Sequence, residues 1–114
     1  VLRLGEDVAG WAALSAVSSR PVYAGVAEVS IYIDETYRGK GLGKVLLKEL
    51  VRCSEAEGFW MLQGSITREN TASIRLHESC GFRLVGVRER IARMPDGIWH
   101  DTVLMERRSR IAGA

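Results

Sequence analysis

Three glycines spaced by single residues, in Arg38-Gly39-Lys40-Gly41-Leu42-Gly43, form the stretch of this chain best suited to chemistry. They follow an alternating apolar segment, Glu28 to Ile33, and lead into a segment of helical periodicity that runs to about Glu57. Without Cβ atoms, the backbone of such a turn lets a ligand approach closely. The free amides and positive dipole end of the following helix favour a phosphate-bearing ligand there. Glycines also serve ordinary turns, so the motif alone leaves both readings open. A nucleoside triphosphate loop requires Lys followed by Ser or Thr after its last glycine, whereas Gly43 is followed by Lys44-Val45. A dinucleotide fold places its glycines after the first strand, with an acid about 20 residues on, and this chain does not meet those conditions cleanly. Downstream, Asn70 and Ser73 sit one helical turn apart and His77 a further turn along, so the three share a face. Of these, His77 titrates near neutrality and Asn70 also suits a helix cap.

The elements that must position these groups can be read from the hydrophobic pattern. Val1 to Leu4 and Val8 to Ala16 predict two antiparallel strands joined at Gly5-Glu6-Asp7. Val29, Ile31 and Ile33 alternate with Glu28, Ser30 and Tyr32, which predicts a strand over Val26 to Ile33 with one face buried. A helix from the glycine turn to about Glu57 carries the apolar stripe Leu42, Val45, Leu46, Leu50 and Val51, with Gly58 as a stop. Phe59 to Ile66 reads as a strand, Thr71 to Cys80 as a helix ended by Gly81, and Phe82 to Ala92 as a strand. After a turn at Met94-Pro95-Asp96-Gly97, Trp99 to Arg107 reads as the last strand. No internal repeat interrupts this order, so we expect a single α/β or α+β domain over 1–114, a mixed sheet with helices.

Composition narrows the classes of function. The 114 residues suffice for one core and no separate substrate domain. Sixteen basic residues are nearly matched by 14 acidic ones, and the only basic run, Arg107-Arg108-Ser109-Arg110, is terminal. That argues against nucleic acid as a partner. No apolar run approaches the roughly 18 residues of a membrane span. Cys53 and Cys80 lack partners at metal-ligand spacing, so no metal is expected, and reduced thiols in a cytoplasmic protein fit better than a disulfide. Val1 falls in an apparent strand, with neither an initiator methionine nor a signal-type stretch, and the chain reads as starting mid-fold.

Arg38-x-x-Gly41-x-Gly43 after an alternating strand, followed by Asn70-x-x-Ser73 and Leu76-His77-Glu78-x-x-Gly81-Phe82, resembles the GNAT superfamily of acyl-CoA-dependent N-acetyltransferases. Arg20-Pro21-x-Tyr23, Glu28-Val29-Ser30-Ile31-Tyr32-Ile33 and Trp99-His100-Asp101 narrow the resemblance to the phosphinothricin acetyltransferase branch, including relatives that act on methionine sulfoximine or arsinothricin. The resemblance implies a mixed, mostly antiparallel central sheet flanked by helices, here without the N-terminal strand and helices that the family places ahead of Val1. It implies acetyl-CoA as cosubstrate. The pyrophosphate would lie against Arg38, Gly39, Lys40, Gly41, Leu42 and Gly43, and the pantetheine arm against the backbone of Ile31, Tyr32 and Ile33, one amide of which polarises the thioester carbonyl. Asn70 and Ser73 would face the pantetheine, while Ser79 matches a cofactor contact of some relatives although helical spacing turns it away from that face.

Transfer to an amine also needs a base and a proton for the leaving thiolate. Glu28 is the base candidate, directly or through a water; its alternative is a solvated strand glutamate. His77 stands where many superfamily members have Tyr and is a candidate general acid, though capping, packing or cofactor binding would equally explain it. For substrate binding, Arg20 would pair with a carboxylate, phosphinate or arsinate, with Tyr23, Glu28 and His100 around the same pocket. The resemblance further implies a homodimer, and the terminal strands, with Trp60 and Trp99 among their neighbours, are the candidate interface. Competing readings are a protein N-terminal or polyamine acetyltransferase, and a catalytically idle CoA-binding module.

Overall fold

The computed structural model describes residues 2–4 and 6–113. Its strands are β1 (Leu2–Leu4), β2 (Asp7–Ala16), β3 (Val26–Ile33), β4 (Met61–Thr67), β5 (Arg83–Arg93) and β6 (Trp99–Arg108). The helices are α1 (Leu42–Ala56) and α2 (Thr71–Ser79), and short 3-10 turns occupy Pro21–Tyr23 and Glu35–Tyr37. All six strands join one sheet in the order β1-β2-β3-β4-β6-β5. Every neighbouring pair is antiparallel except β3 with β4, which α1 connects as a crossover. The mixed, mostly antiparallel sheet expected from the sequence is therefore present, and the strands and helices fall within two residues of their predicted limits, apart from Val1 and Gly5 of the first predicted hairpin, which lie outside the described residues.

Period-two alternation divides the sheet into two unlike faces. Ala27, Val29, Leu62, Ile66, Val103 and Met105 point to one side, where Leu47 and Val51 of α1 and Phe82 complete a buried core. Ile74 and Leu76 of α2 pack against the same core, so both helices settle on this face. On the other face Ser15, Ser30, Tyr32 and Ser65 remain exposed. The stripe predicted for α1 is shifted: Val45 is 56% exposed and Leu47 is fully buried. The buried face is Leu46, Leu47, Val51 and Ser54.

The pairing of β3 with β4 matters most for function. It lasts only from Val26–Met61 to Glu28–Gln63. Beyond that point β3 stays with β2 as far as Ile33, and β4 stays with β6 as far as Thr67. The strands thus part like a fork, and among the described residues the edge of β3 that faces β4, from Val29 to Ile33, has no strand partner. The closed end of the fork is held by Gly25, whose carbonyl accepts the amides of both Trp60 (2.8 Å) and Met61 (3.1 Å).

Candidate active site

The open end of the fork leads to the glycine turn. Gly39 and Gly41 have φ of +78° and +75°, the left-handed region that favours glycine, and an added Cβ at either would meet nothing within 4 Å. Gly41 is the N-cap of α1 and offers no side-chain cap, so the first amides of the helix lack an acceptor from it. A 15-residue helix with an uncapped N-terminus facing a cleft is an anion site by construction. The cleft has a volume of about 550 Å³ and is lined by Ile31, Tyr32, Ile33, Arg38, Gly39, Gly41, Leu42, Gly43, Asn70 and Ser73, all read from the sequence, together with Tyr37, Ala72 and Leu76. Lys40 is exposed, its ammonium 5.6 Å from the Tyr37 ring centre.

The turn is tied back to the sheet at several points. Arg38 Nε donates to the Ile33 carbonyl at 3.1 Å, and its guanidinium lies over the Tyr32 ring. Asp34 donates its amide to the Ala9 carbonyl at 2.7 Å, and Tyr37 donates its hydroxyl to Asp7 at 2.9 Å. That hydrogen bond to a carboxylate is the main reason the Tyr37 phenol is raised above its ordinary value.

A second chamber of about 410 Å³ continues from this cleft through the gap between β3 and β4, sharing Ile31, Tyr32, Asn70 and Ser73 with it. Val29, Gly64 and His77 line it on the helix side, and Trp11, Ser30, Ser65 and Thr67 on the open face. His77 is 3% exposed, and its ring meets the edge of Phe82 at 5.0 Å. Its Nδ1 lies 2.7 Å from the Ser73 carbonyl, which can only accept, so the proton sits on Nδ1 and Nε2 keeps a free lone pair. Burial lowers the pKa of the imidazole, outweighing that hydrogen bond, so the ring is neutral at pH 7. Asn70 performs the capping role open to it, its Oδ1 accepting the Ser73 amide at 3.1 Å while the residue also lines both cavities.

Glu28 stands at the last paired position of the fork, half-buried, with Gln63 Nε2 donating to its Oε1 at 3.5 Å. It adjoins the chamber without lining it. Ser79 turns away, as helical spacing predicts, and donates its hydroxyl to the Leu76 carbonyl at 2.7 Å. Arg20 and Tyr23 lie in the exposed 3-10 turn ahead of β3, beyond the closed end of the fork, and line neither cavity. His100 lies at the start of β6, its Nδ1 3.2 Å from Glu69. The structure thus gathers the cofactor-turn residues with Asn70, Ser73 and His77, and leaves Arg20, Tyr23 and His100 apart from them. Trp11, Tyr37, Ser65 and Thr67 were not singled out from the sequence; the alternation of polar residues along β4 was the available signal for Ser65 and Thr67.

Residues 1–82 match the acetyltransferase (GNAT) family. The chain belongs to that family. Bacillus subtilis YwnH, provisionally named a phosphinothricin acetyltransferase, is 41% identical over 89% of this chain and 61% of its own length. An L-methionine sulfoximine/L-methionine sulfone acetyltransferase of Pseudomonas aeruginosa is 34% identical over 74% of this chain and 48% of its own. The chain therefore spans between about half and three fifths of the length of these relatives. Among solved structures, a GNAT superfamily phosphinothricin acetyltransferase from Sinorhizobium meliloti in complex with acetyl-CoA superposes with a TM-score of 0.88 at 37% identity, covering 98% of this chain and 60% of that one. The fold is the GNAT fold, matched over part of the length of these relatives.

Proposed function

We propose that the protein is an acetyl-CoA-dependent N-acetyltransferase that acetylates the amino group of a small amino-acid-like substrate, such as phosphinothricin, methionine sulfoximine or arsinothricin, by direct transfer. The observation that carries this reading is the fork: an unpaired strand edge, Val29 to Ile33, ending at an uncapped helix N-terminus behind a glycine turn. These groups fit CoA. The amides of Leu42 and Gly43 and the guanidinium of Arg38 would hold its pyrophosphate, and the free edge of β3 would pair with its amide-bearing arm. When bound, acetyl-CoA supplies an activated acyl group as a thioester.

The chain's own residues supply the rest. A free amide of β3 points into the gap and stabilises the oxyanion that develops as the amine adds. Glu28, at the apex of the fork, takes the proton from the acceptor ammonium, directly or through a water, so that the nucleophile is neutral. An α-amine has a pKa near 8, so a carboxylate base suffices near neutral pH. His77 has its proton on Nδ1 and its lone pair on Nε2, which suits it to take the second proton that the amine nitrogen sheds after addition and to return it to the departing thiolate sulfur, so that CoA leaves as a thiol. Relatives that acetylate methionine sulfoximine and bind acetyl-CoA support the substrate class and the cosubstrate. Detoxification of an antibiotic-type amino acid in the cytoplasm follows from that class. As a homodimer, the protein would bury the exposed apolar residues of the β5–β6 hairpin, Leu84, Val87, Ile91, Ile98 and Trp99.

Thiol release from acetyl-CoA tests the reading, with phosphinothricin, methionine sulfoximine and arsinothricin as acceptors, and spermidine and an N-terminal peptide as competitors. Release with one of the three, lost in Glu28→Gln, is expected. Release only with the peptide or polyamine would replace the substrate class, and CoA binding without release from any amine would favour an idle module.

A further inference from the structure

The wall of the chamber farthest from the helices is aromatic, and the chemistry above makes no use of it. Trp11 lies directly across the β2–β3 pairing from Tyr32. Their rings stack with centroids 6.1 Å apart and planes 28° apart, and Arg38 covers Tyr32 with its guanidinium carbon 5.8 Å from the ring centre. A ladder Trp11–Tyr32–Arg38 therefore runs from the open face to the glycine turn. The Arg38 end is fixed by the Ile33 carbonyl, so Tyr32 has a firm backing and Trp11 a firm neighbour.

Trp11 nonetheless stays 43% exposed and Tyr32 41% exposed, at the mouth of a cavity. A large apolar surface left wet beside a reaction chamber is covered favourably by whatever enters it. The other walls on that face are Ser30, Ser65 and Thr67, and no Asp, Glu, Lys or Arg lines the chamber. The lining itself offers no charged group to a carboxylate or an ammonium, and the one carboxylate the chemistry uses, Glu28, stands beside it. What it can recognise is the uncharged part of an acceptor, by contact with an aromatic surface.

We infer that Trp11 is a specificity-determining residue: it seats the apolar end of the acceptor's side chain, with Tyr32 behind it, and selects amino-acid-like acceptors that carry such an end over those of similar length that do not. This rests on the acetyltransferase reading above. An acceptor methyl or methylene group against the indole strengthens binding, while the amine is presented toward Glu28.

The test compares methionine sulfoximine, which ends in an S-methyl group, with L-glutamine, which ends in a carboxamide, in wild type, Trp11→Ala and Trp11→Phe. Loss of one aromatic contact should lower kcat/KM for methionine sulfoximine about tenfold, chiefly through KM. The KM for acetyl-CoA should change by less than about twofold, and Trp11→Phe should recover most of the loss. An unchanged KM for methionine sulfoximine in Trp11→Ala would overturn the inference, as would an equal rise in KM for acetyl-CoA, which would make Trp11 a support for Arg38 instead. If wild type releases no thiol with any amine, the acetyltransferase reading fails, and the inference is then decided by calorimetry of methionine sulfoximine with CoA-saturated protein. Weaker binding to Trp11→Ala than to wild type would uphold it; equal binding, or none to wild type, would overturn it.

Discussion

Gly41→Ala separates a glycine that serves a ligand from one that merely serves a turn. The residue holds φ +75° and ψ +7° at the N-cap of α1, and a Cβ there would touch nothing within 4 Å. The substitution therefore has no steric cost in the folded protein, only the intrinsic cost of a left-handed conformation, about 1–2 kcal/mol for a residue with a Cβ. Where this cost appears is the informative point. The ties to the sheet are made by Asp34, Tyr37 and Arg38, whereas Gly39, Lys40 and Gly41 are exposed and Gly41 provides no side-chain cap for α1, so little holds these three residues in this shape without a ligand. In the alanine variant the free turn should relax, and its return to the left-handed shape is then charged to binding. The Kd for CoA should rise by roughly 5- to 30-fold, with little change in the urea midpoint. Gly58→Ala is the control: it has φ +88° just beyond the other end of the same helix, with equally open space. It should lose stability and leave the Kd unchanged. Calorimetric titration with CoA and urea unfolding of both variants provide the comparison. An unaltered Kd in Gly41→Ala, or a loss of affinity in Gly58→Ala as large as in Gly41→Ala, would refute the argument that the turn's shape exists for the cofactor.

Two further outcomes follow from the fork and from the histidine behind it. A Cβ at Gly25 would lie 2.0 Å from the Trp60 ring, so Gly25→Ala must displace either the indole or the backbone whose carbonyl holds Trp60 and Met61; a loss of about 1–3 kcal/mol or more in urea unfolding is expected. Because burial holds the His77 pKa below its ordinary value of 6.5, the unfolded chain takes up the proton first as the pH falls. Wild type should therefore lose more stability between pH 7 and pH 5 than His77→Gln does, as read by unfolding midpoints at the two pH values.

Much of the cofactor cleft was legible because its causes are local. Alternating glycines before an amphipathic helix report a backbone that needs positive φ, and Asn70 three residues before Ser73 reports a cap; both hold in the structure. The fork itself was not legible. It exists because β3 stops pairing with β4 after Glu28 and Gln63, a nonlocal event between strands separated in sequence by α1. The same limit affected Arg20 and Tyr23: their types suit an anionic substrate, but a loop's position relative to a cleft depends on which end of a strand it leaves. The buried face of α1 includes Leu47 and leaves out Val45, unlike the stripe the periodicity predicts, since periodicity gives the width of an apolar face and the packing partner decides its centre. Trp11 showed no signal of its own, because its neighbour Tyr32 is set by cross-strand register.

Hydrogen exchange with and without CoA tests the central claim most directly, since the claim concerns named backbone amides. Exchange should slow on CoA addition along Val29 to Ile33 and at Gly39 to Gly43, with the hairpin of β5 and β6 unaffected. Unchanged exchange along the free edge of β3, or protection confined to surfaces away from the fork, would contradict it.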